Sequence, residues 1–213
     1  MDRVWFLTWT TYGTWLPGDE RGFVSNVRDD CGPEVRHNKP GTPCDAKLRG
    51  LANAARSQLN GPPVFLIEEQ ANTILPQLRE TATYRNWTLF AAAIMANHIH
   101  LVLGVVGDPD PALLLRDFKS YASRSLNRTW PRPASGTWWT ENGSKRKVKD
   151  DAGLIEVIGY VRDQPFAFVA WMNDEAIGTT FDLPVVDKLL KNQGADAPRS
   201  PGALRSPNPP GCE

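Results

Sequence analysis

The sequence has too few cysteines and too short apolar runs for several common classes of protein. Its 213 residues include only three cysteines, Cys31, Cys44 and Cys212, which have no C-x-x-C spacing and do not pair evenly. This excludes a disulfide framework and a zinc knuckle and favours a reducing cytoplasm. No apolar run reaches the roughly 18 residues of a membrane span, and the start of the chain lacks a basic region followed by an apolar one. We therefore expect neither a membrane segment nor a secretory signal.

Net charge is absent as well. The chain has 24 Lys+Arg and 24 Asp+Glu, so a wholly basic surface is excluded and any contact with nucleic acid needs local segregation of charge. Residues 116–149 supply it, because nine basic residues there are opposed only by Asp117 and Glu141, with tryptophans between them. Such a segment is either a solvated helix face with a lysine-rich turn or a track for single-stranded nucleic acid, in which cations follow phosphates and rings stack on bases. The candidates are Arg116, Lys119, Arg124, Arg128, Trp138, Trp139, Lys145, Arg146 and Lys147.

The spacing of apolar residues predicts seven elements, in the order strand, helix, strand, strand, helix, strand, helix. Two such halves make a ferredoxin-like α+β fold, an antiparallel sheet with its first and third strands central and its helices packed mainly on one face. The elements are a strand at 4–14, a helix entered at Pro62-Pro63 and kinked or broken at Pro76, strands at 87–95 and 99–106, a helix capped by Asp110, a strand or hairpin at 137–148, and a helix capped by Asp150.

Two segments have compositions that fit no regular element. Residues 16–63 are rich in Gly, Pro, Asp and Asn and are predicted to be a long loop insertion. Residues past about 190 are rich in Pro, Gly, Ser and Asn and are predicted to be a disordered tail. We therefore expect one catalytic domain at 1–175 and a C-terminal extension at 176–213.

Two of the three histidines stand one residue apart in the third predicted strand, as His98-Ile99-His100. Side chains alternate faces along a strand, so both imidazoles point the same way and can chelate one divalent ion, while Ile99 anchors the strand from the other face. The alternative is a pair of histidines at a strand edge that only form hydrogen bonds. Histidine-triad nucleotide hydrolases would need a third histidine where this chain has Val102.

The last predicted helix carries Tyr160 and, four residues on, Gln164. Positions i and i+4 share a helix face, so the two are neighbours at the margin of the apolar stripe. The amide oxygen of Gln is an acceptable ligand for a hard cation such as Mg²⁺. The alternative is a tyrosine at the core edge beside a solvated glutamine. Tyr121 is a rival nucleophile, but it has Ser125 rather than an amide four residues on.

Together these motifs resemble the single-tyrosine HUH transposases, and among them those associated with repetitive extragenic palindromes. The resemblance covers roughly residues 4–172. Many relatives carry Asn where this chain has Gln164. The residues that carry the resemblance are Met95 to His100, Phe118 to Tyr121 with Asn127, Gly136 to Trp139, Tyr160 to Pro165, and Trp9 to Gly18.

The resemblance implies a ferredoxin-like fold with the HUH pair on a central strand, and cutting and transfer of single-stranded or hairpin DNA. His98, His100 and Gln164 are then expected to hold Mg²⁺ or Mn²⁺, and Tyr160 to attack the phosphate and form a 5′-phosphotyrosine. We expect a cytoplasmic, nucleoid-associated protein and leave open whether it is a monomer or a homodimer. One alternative is a domesticated or inactive relative that binds such DNA without cutting. Another is a phosphodiesterase of small nucleotides, for which the basic segment would be superfluous.

Overall fold

The computed structural model describes residues 1–19 and 48–180. They fall in two compact units, one made of Met1–Thr14 with 60–180 and the other of 15–19 with 48–59. The predicted tail after 190, and the greater part of the predicted insertion, lie outside the described residues. None of the helices in the described ranges is long and apolar enough to cross a membrane.

The smaller unit contains a helix that the composition did not predict. Helix α1 spans Arg49–Ser57, and none of its residues is buried. Its segment, RGLANAARS, is rich in alanine and so favours a helix through intrinsic propensity rather than through a buried apolar stripe. The prediction of a long loop or insertion over 16–63 was therefore wrong at Arg49–Ser57, which is helical.

The larger unit is built on a five-stranded antiparallel sheet with the order β4-β1-β3-β2-β5. The first and third strands are central, which confirms the ferredoxin-like α+β fold. The fifth strand was not predicted; it has four residues, too few for a clear alternation, and it pairs only along β2. The strands are β1 Arg3–Thr10, β2 Thr88–Ile94, β3 His98–Val105, β4 Ser144–Val148 and β5 Val169–Met172.

Four helices complete this unit: α2 Glu68–Tyr84, α3 Pro111–Thr129, α4 Asp151–Arg162 and α5 Asp174–Thr180. The two predicted caps are confirmed. The Asp110 carboxylate accepts from Ala112 N at 2.8 Å, and the Asp150 carboxylate accepts from Gly153 N at 2.8 Å.

Helix α2 does not begin at the predicted proline pair, and it shows no break at Pro76. It begins at Glu68 rather than at Pro62-Pro63, and the Gln70 side chain accepts from Ile67 N at 3.1 Å. It also continues through Pro76 without a break. Pro76 is exposed, so water can satisfy the carbonyl that lost its intrahelical partner, and the helix tolerates the ring.

The sheet is covered on both faces. Helices α2 and α3 pack on one face, where Leu7, Ile74 and Phe118 are buried together. Helix α4 packs on the other, where Phe6 and Ile158 belong to a second core. The expectation of helices on one face holds for α2 and α3, whereas α4 covers the opposite face and brings Tyr160 to it.

Candidate functional site

The two histidines of β3 lie on the face of the sheet that α4 covers. His98 is opposite Thr10 of β1, and His100 is opposite Thr8 of β1 and Ala93 of β2. Their ring centroids are 4.7 Å apart and the planes meet at 82°. The strand thus brings two imidazoles together at its first residues, beside the turn that joins β2 to β3.

Each imidazole uses its Nδ1 atom in a hydrogen bond to a neighbour. His98 Nδ1 donates to Asn97 Oδ1 at 2.7 Å, and His100 Nδ1 lies 2.7 Å from Thr8 Oγ1. A proton on Nδ1 leaves the lone pair on Nε2, which is the form that binds a metal ion. Thr8 was not identified from the sequence, because its role becomes visible only when the register of β1 against β3 is known.

His100 has a buried polar atom without a partner. Only 5% of the residue is exposed, and its Nε2 has no hydrogen-bond partner. Burial, and secondarily the neighbouring His98, lowers the pKa of His100 to about 3. The ring is therefore neutral at pH 7, as a metal ligand must be. An unpaired buried nitrogen costs free energy, and a bound cation would remove that cost.

Tyr160 meets this pair from α4. Its ring lies 5.5 Å from that of His100 and 5.9 Å, edge on, from that of Phe6. Phe6 in turn lies 5.3 Å from His100, so the three rings form one cluster. Buried Ile158 and Val161 fix this part of α4 on the sheet. Tyr160 itself is partly exposed, so the ring is held while solvent can still reach it.

The rival Tyr121 lies elsewhere. It belongs to α3, which packs on the opposite face of the sheet. The Arg124 guanidinium carbon stands 5.1 Å from the centre of its ring. The structure therefore brings only one of the two candidate tyrosines to the histidines.

Gln164 follows the end of α4 and remains beside its last turn. Its amide Nε2 donates to Tyr160 O at 3.0 Å, which leaves Oε1 as the atom of metal-ligand type. No group of three or more His, Cys, Asp or Glu that could hold a metal occurs in the described part of the chain. A metal centre at the histidines would therefore need a ligand of another type, such as an amide oxygen.

Lys119, predicted to contact phosphates, is a structural residue. It is buried, and its ammonium donates to three main-chain carbonyls, those of Thr140 at 2.6 Å and of Glu141 and Asn142 at 2.9 Å each. Burial, and then the charge of Lys145, lowers the pKa of Lys119 to about 8, against the opposing effect of Glu141. All three donors are used, so the prediction for this residue was wrong.

Trp138 and Trp139, predicted to stack on bases, are core residues. Each is 5% exposed. Trp138 Nε1 donates to Asn127 Oδ1 at 2.8 Å, and Trp139 Nε1 donates to Ser123 Oγ at 2.7 Å. With the faces of the rings buried and their N–H groups paired to α3, these side chains offer no surface to a base, and the stacking prediction was wrong.

The other predicted basic residues do not form one track. Arg116, Arg124 and Arg128 are exposed on α3. Along β4, Arg146 stands opposite Phe6, and its guanidinium carbon is 5.7 Å from that ring. Lys145 and Lys147 stand opposite Leu7 and Trp5 and so lie on the other face. Among the predicted cations, Arg146 is therefore the one that shares a face of the sheet with the histidines.

Comparison with known proteins gives a match to a family model over part of the chain. Residues 64–164 match the family model described as transposase, IS200 like. A candidate transposase from Deinococcus radiodurans R1 is similar at 15% identity and a TM-score of 0.40, over 77% of this chain and 92% of that one. A REP-associated tyrosine transposase bound to a REP hairpin is similar at 11% identity and a TM-score of 0.44, over 78% of this chain and 75% of that one. Among curated proteins, none matches this chain.

Proposed function

We propose, because residues 64–164 match the model of the IS200-like transposase family, that this protein cuts and rejoins single-stranded DNA with Tyr160 as its nucleophile. The family supports an enzyme that acts on DNA. The observation that carries the finer proposal is the ring contact between Tyr160 and His100, 5.5 Å between centroids. A phenol beside the buried, neutral imidazole of His100 and the second imidazole of His98 is suited to phosphoryl transfer from a nucleic acid. The hairpin nature of the substrate stays an expectation from the family resemblance.

We propose His98, His100 and Gln164 as the ligands of Mg²⁺ or Mn²⁺. The fit is supported by the unpartnered Nε2 of His100, by the Nδ1 hydrogen bonds of both rings, and by the amide of Gln164 beside Tyr160. When bound, the cation would neutralise charge on the scissile phosphate and hold its oxygens for in-line displacement.

The chemical step then belongs to Tyr160. Its phenolic oxygen attacks phosphorus, the bond from phosphorus to the 3′ oxygen of the preceding nucleotide breaks, and that oxygen takes up a proton as the phenol loses one. The products are a 5′-phosphotyrosine and a free 3′ hydroxyl. Attack by a 3′ hydroxyl reverses the step without ATP, because the energy of the phosphodiester is kept in the protein–DNA bond. Packing of the ring against Phe6 and His100 limits its orientations.

Arg146 is the cation that we propose at the phosphate backbone near this site. It stands opposite Phe6 in the sheet, and its guanidinium can form paired hydrogen bonds with a phosphate. The exposed arginines of α3 lie on the other face and would serve only a longer DNA path. We propose residues 1–175 as the catalytic domain, acting on cellular DNA at the nucleoid in the cytoplasm, with the oligomeric state left open.

Formation of a covalent protein–DNA adduct tests this function. Labelled single-stranded oligonucleotides tiled across both flanks of the protein's own gene are incubated with it in Mg²⁺, then separated on a denaturing gel. We expect a shifted band that disappears with EDTA and is absent in Tyr160→Phe, a change that keeps the ring and removes the oxygen. Binding without any band would indicate the relative that does not cut, and a band in Tyr160→Phe would overturn the nucleophile.

A further inference from the structure

Phe166 is the most exposed of the large apolar side chains in the described ranges, at 94%. It also has a φ of +63°, in the left-handed region that favours glycine. Asn86 is the other non-glycine residue there with a positive φ, and asparagine tolerates that region well, whereas a bulky residue does not. Phe166 thus occupies a backbone position that disfavours it and makes little packing contact in return.

The turn that carries Phe166 is fixed at both ends. On one side the Gln164 amide donates to Tyr160 O at 3.0 Å, and on the other Phe168 N donates to Ile94 O at 2.9 Å. The strained residue is therefore presented by a short, anchored segment rather than by a loose loop. A ring held in this way loses little conformational freedom when it binds a flat partner.

This turn lies at the end of the sheet that carries the histidines. Ile94, which accepts from Phe168, ends β2 and stands opposite Ile99, the residue between His98 and His100. The next residue, Met95, donates its N–H to His98 O at 3.0 Å. Phe166 is thus two residues from Gln164 along the chain and anchored next to the first residues of β3.

We infer that Phe166 stacks on an unpaired nucleobase next to the phosphate that is cut, an inference that rests on the proposed function. Stacking on an aromatic ring accepts any base, because every base has a flat face. Trp138 and Trp139 are buried and do not provide that surface. Backbone strain at an exposed, anchored ring beside a reacting centre is the kind of outlier that function maintains.

The test measures DNA affinity and thermal stability in the same variants. The probe is a fluorescein-labelled 30-nucleotide oligothymidine, with anisotropy as the signal and salt held constant. Phe166→Gly relieves the positive φ, so we expect its melting temperature to rise by about 2 °C while its binding weakens by roughly 5- to 100-fold. Phe166→Leu should weaken binding similarly without the gain in stability. Phe166→Trp, which keeps an aromatic ring, should bind with wild-type affinity.

The matched control is Tyr84→Leu, which removes another exposed aromatic ring, 74% exposed, just before the opposite end of β2. It should leave affinity unchanged. Unchanged affinity in both Phe166→Gly and Phe166→Leu would overturn the inference. So would a result in which Phe65→Leu, at another exposed ring, weakens binding while the Phe166 variants do not. Unchanged DNA affinity with conversion of a dimer to a monomer would assign the ring to a second copy of the chain. These outcomes are separate from the adduct test, because a strand-cutting enzyme can lack this contact.

Discussion

Two clusters on opposite faces of the sheet both combine aromatic rings with nitrogen-bearing side chains, but they differ in whether those nitrogens have hydrogen-bond partners. In the tryptophan–lysine cluster (Lys119, Trp138 and Trp139), every side-chain N–H group has an acceptor on the protein. In the histidine cluster (Thr8, His98, His100 and Tyr160), His100 Nε2 is buried and has none. The sequence marked residues of both clusters as candidates, those of the first by charge and aromatic rings and those of the second by the H-x-H pair and the position of Tyr160. What separates them is hydrogen-bond saturation: every side-chain N–H group of the first cluster has an acceptor, whereas the second leaves the Nε2 atom of His100 buried without a partner.

The largest effect should come from removing either histidine. His98→Ala or His100→Ala is expected to lower the rate of adduct formation by more than about 100-fold, because each change removes one of the proposed metal ligands. DNA affinity should remain within a few-fold of wild type, since backbone contacts supply most of it. Adduct formation and anisotropy, measured on the same preparations, check both parts. Normal cutting by either variant in Mg²⁺ would refute the metal-site proposal.

A substitution in the tryptophan–lysine cluster should lower the stability of the fold and leave the rate of adduct formation unchanged. Lys119→Met removes the donor of three main-chain carbonyls, so we expect the free energy of unfolding to fall by about 3 kcal/mol. Adduct formation per folded molecule should stay near wild type. Urea unfolding gives the first quantity and gel analysis the second. Arg116→Met, on the exposed face of the same helix, is the control and should change stability by less than about 0.5 kcal/mol. A stable Lys119→Met that no longer binds DNA would return Lys119 to the DNA track.

Burial of His100 has a consequence for the pH dependence of stability. The pKa of the folded state is about 3 and that of a free imidazole 6.5, so below pH 6.5 the unfolded chain takes up a proton that the folded chain does not. The protein in EDTA should therefore lose about 2 kcal/mol of stability between pH 7 and pH 5 from this residue. The loss should disappear in His100→Gln, measured by urea unfolding at both pH values. An equal loss in both proteins would place the titration elsewhere.

The smallest predicted effect is on the salt dependence of DNA binding, and it should differ between two neighbouring basic residues of β4. Arg146→Gln should reduce the slope of log affinity against log salt by about 0.7, the value for one phosphate contact on a single strand. Lys147→Gln, one residue on and on the other face, should leave the slope unchanged. Titration of oligothymidine affinity from low to high salt measures both. Equal changes in the two slopes would mean that the DNA path is not confined to the histidine face.

The sequence predicted correctly those features that depend only on residues close together in the chain. The caps at Asp110 and Asp150, and the alternation through Ile99, need only neighbouring residues to operate. The errors arose where a distant segment decides the outcome. Lys119 is buried because the carbonyls of 140–142 meet it, a contact that no sequence period reveals. The split of Lys145 and Lys147 from Arg146 follows from strand alternation once the strand within the predicted strand or hairpin of 137–148 is located at Ser144–Val148.

Some residues of the candidate site could likewise be predicted from the sequence. An H-x-H pair in a predicted strand and a tyrosine four residues before an amide are visible in the sequence. Thr8 and Phe166 were not, because one depends on strand register and the other on the backbone conformation of a turn.

The central claim is that the residue joined to DNA is the tyrosine beside the histidine pair, and mapping of the adduct tests it most directly. The adduct is formed on flanking single-stranded DNA in Mg²⁺, trimmed with nuclease, digested with trypsin and analysed by mass spectrometry. Cleavage after Lys149 and Arg162 gives a peptide in which Tyr160 is the only tyrosine, and cleavage after Lys119 and Arg124 gives one in which Tyr121 is. We predict the nucleotide phosphate on the Tyr160 peptide. Its presence on the Tyr121 peptide would contradict the account.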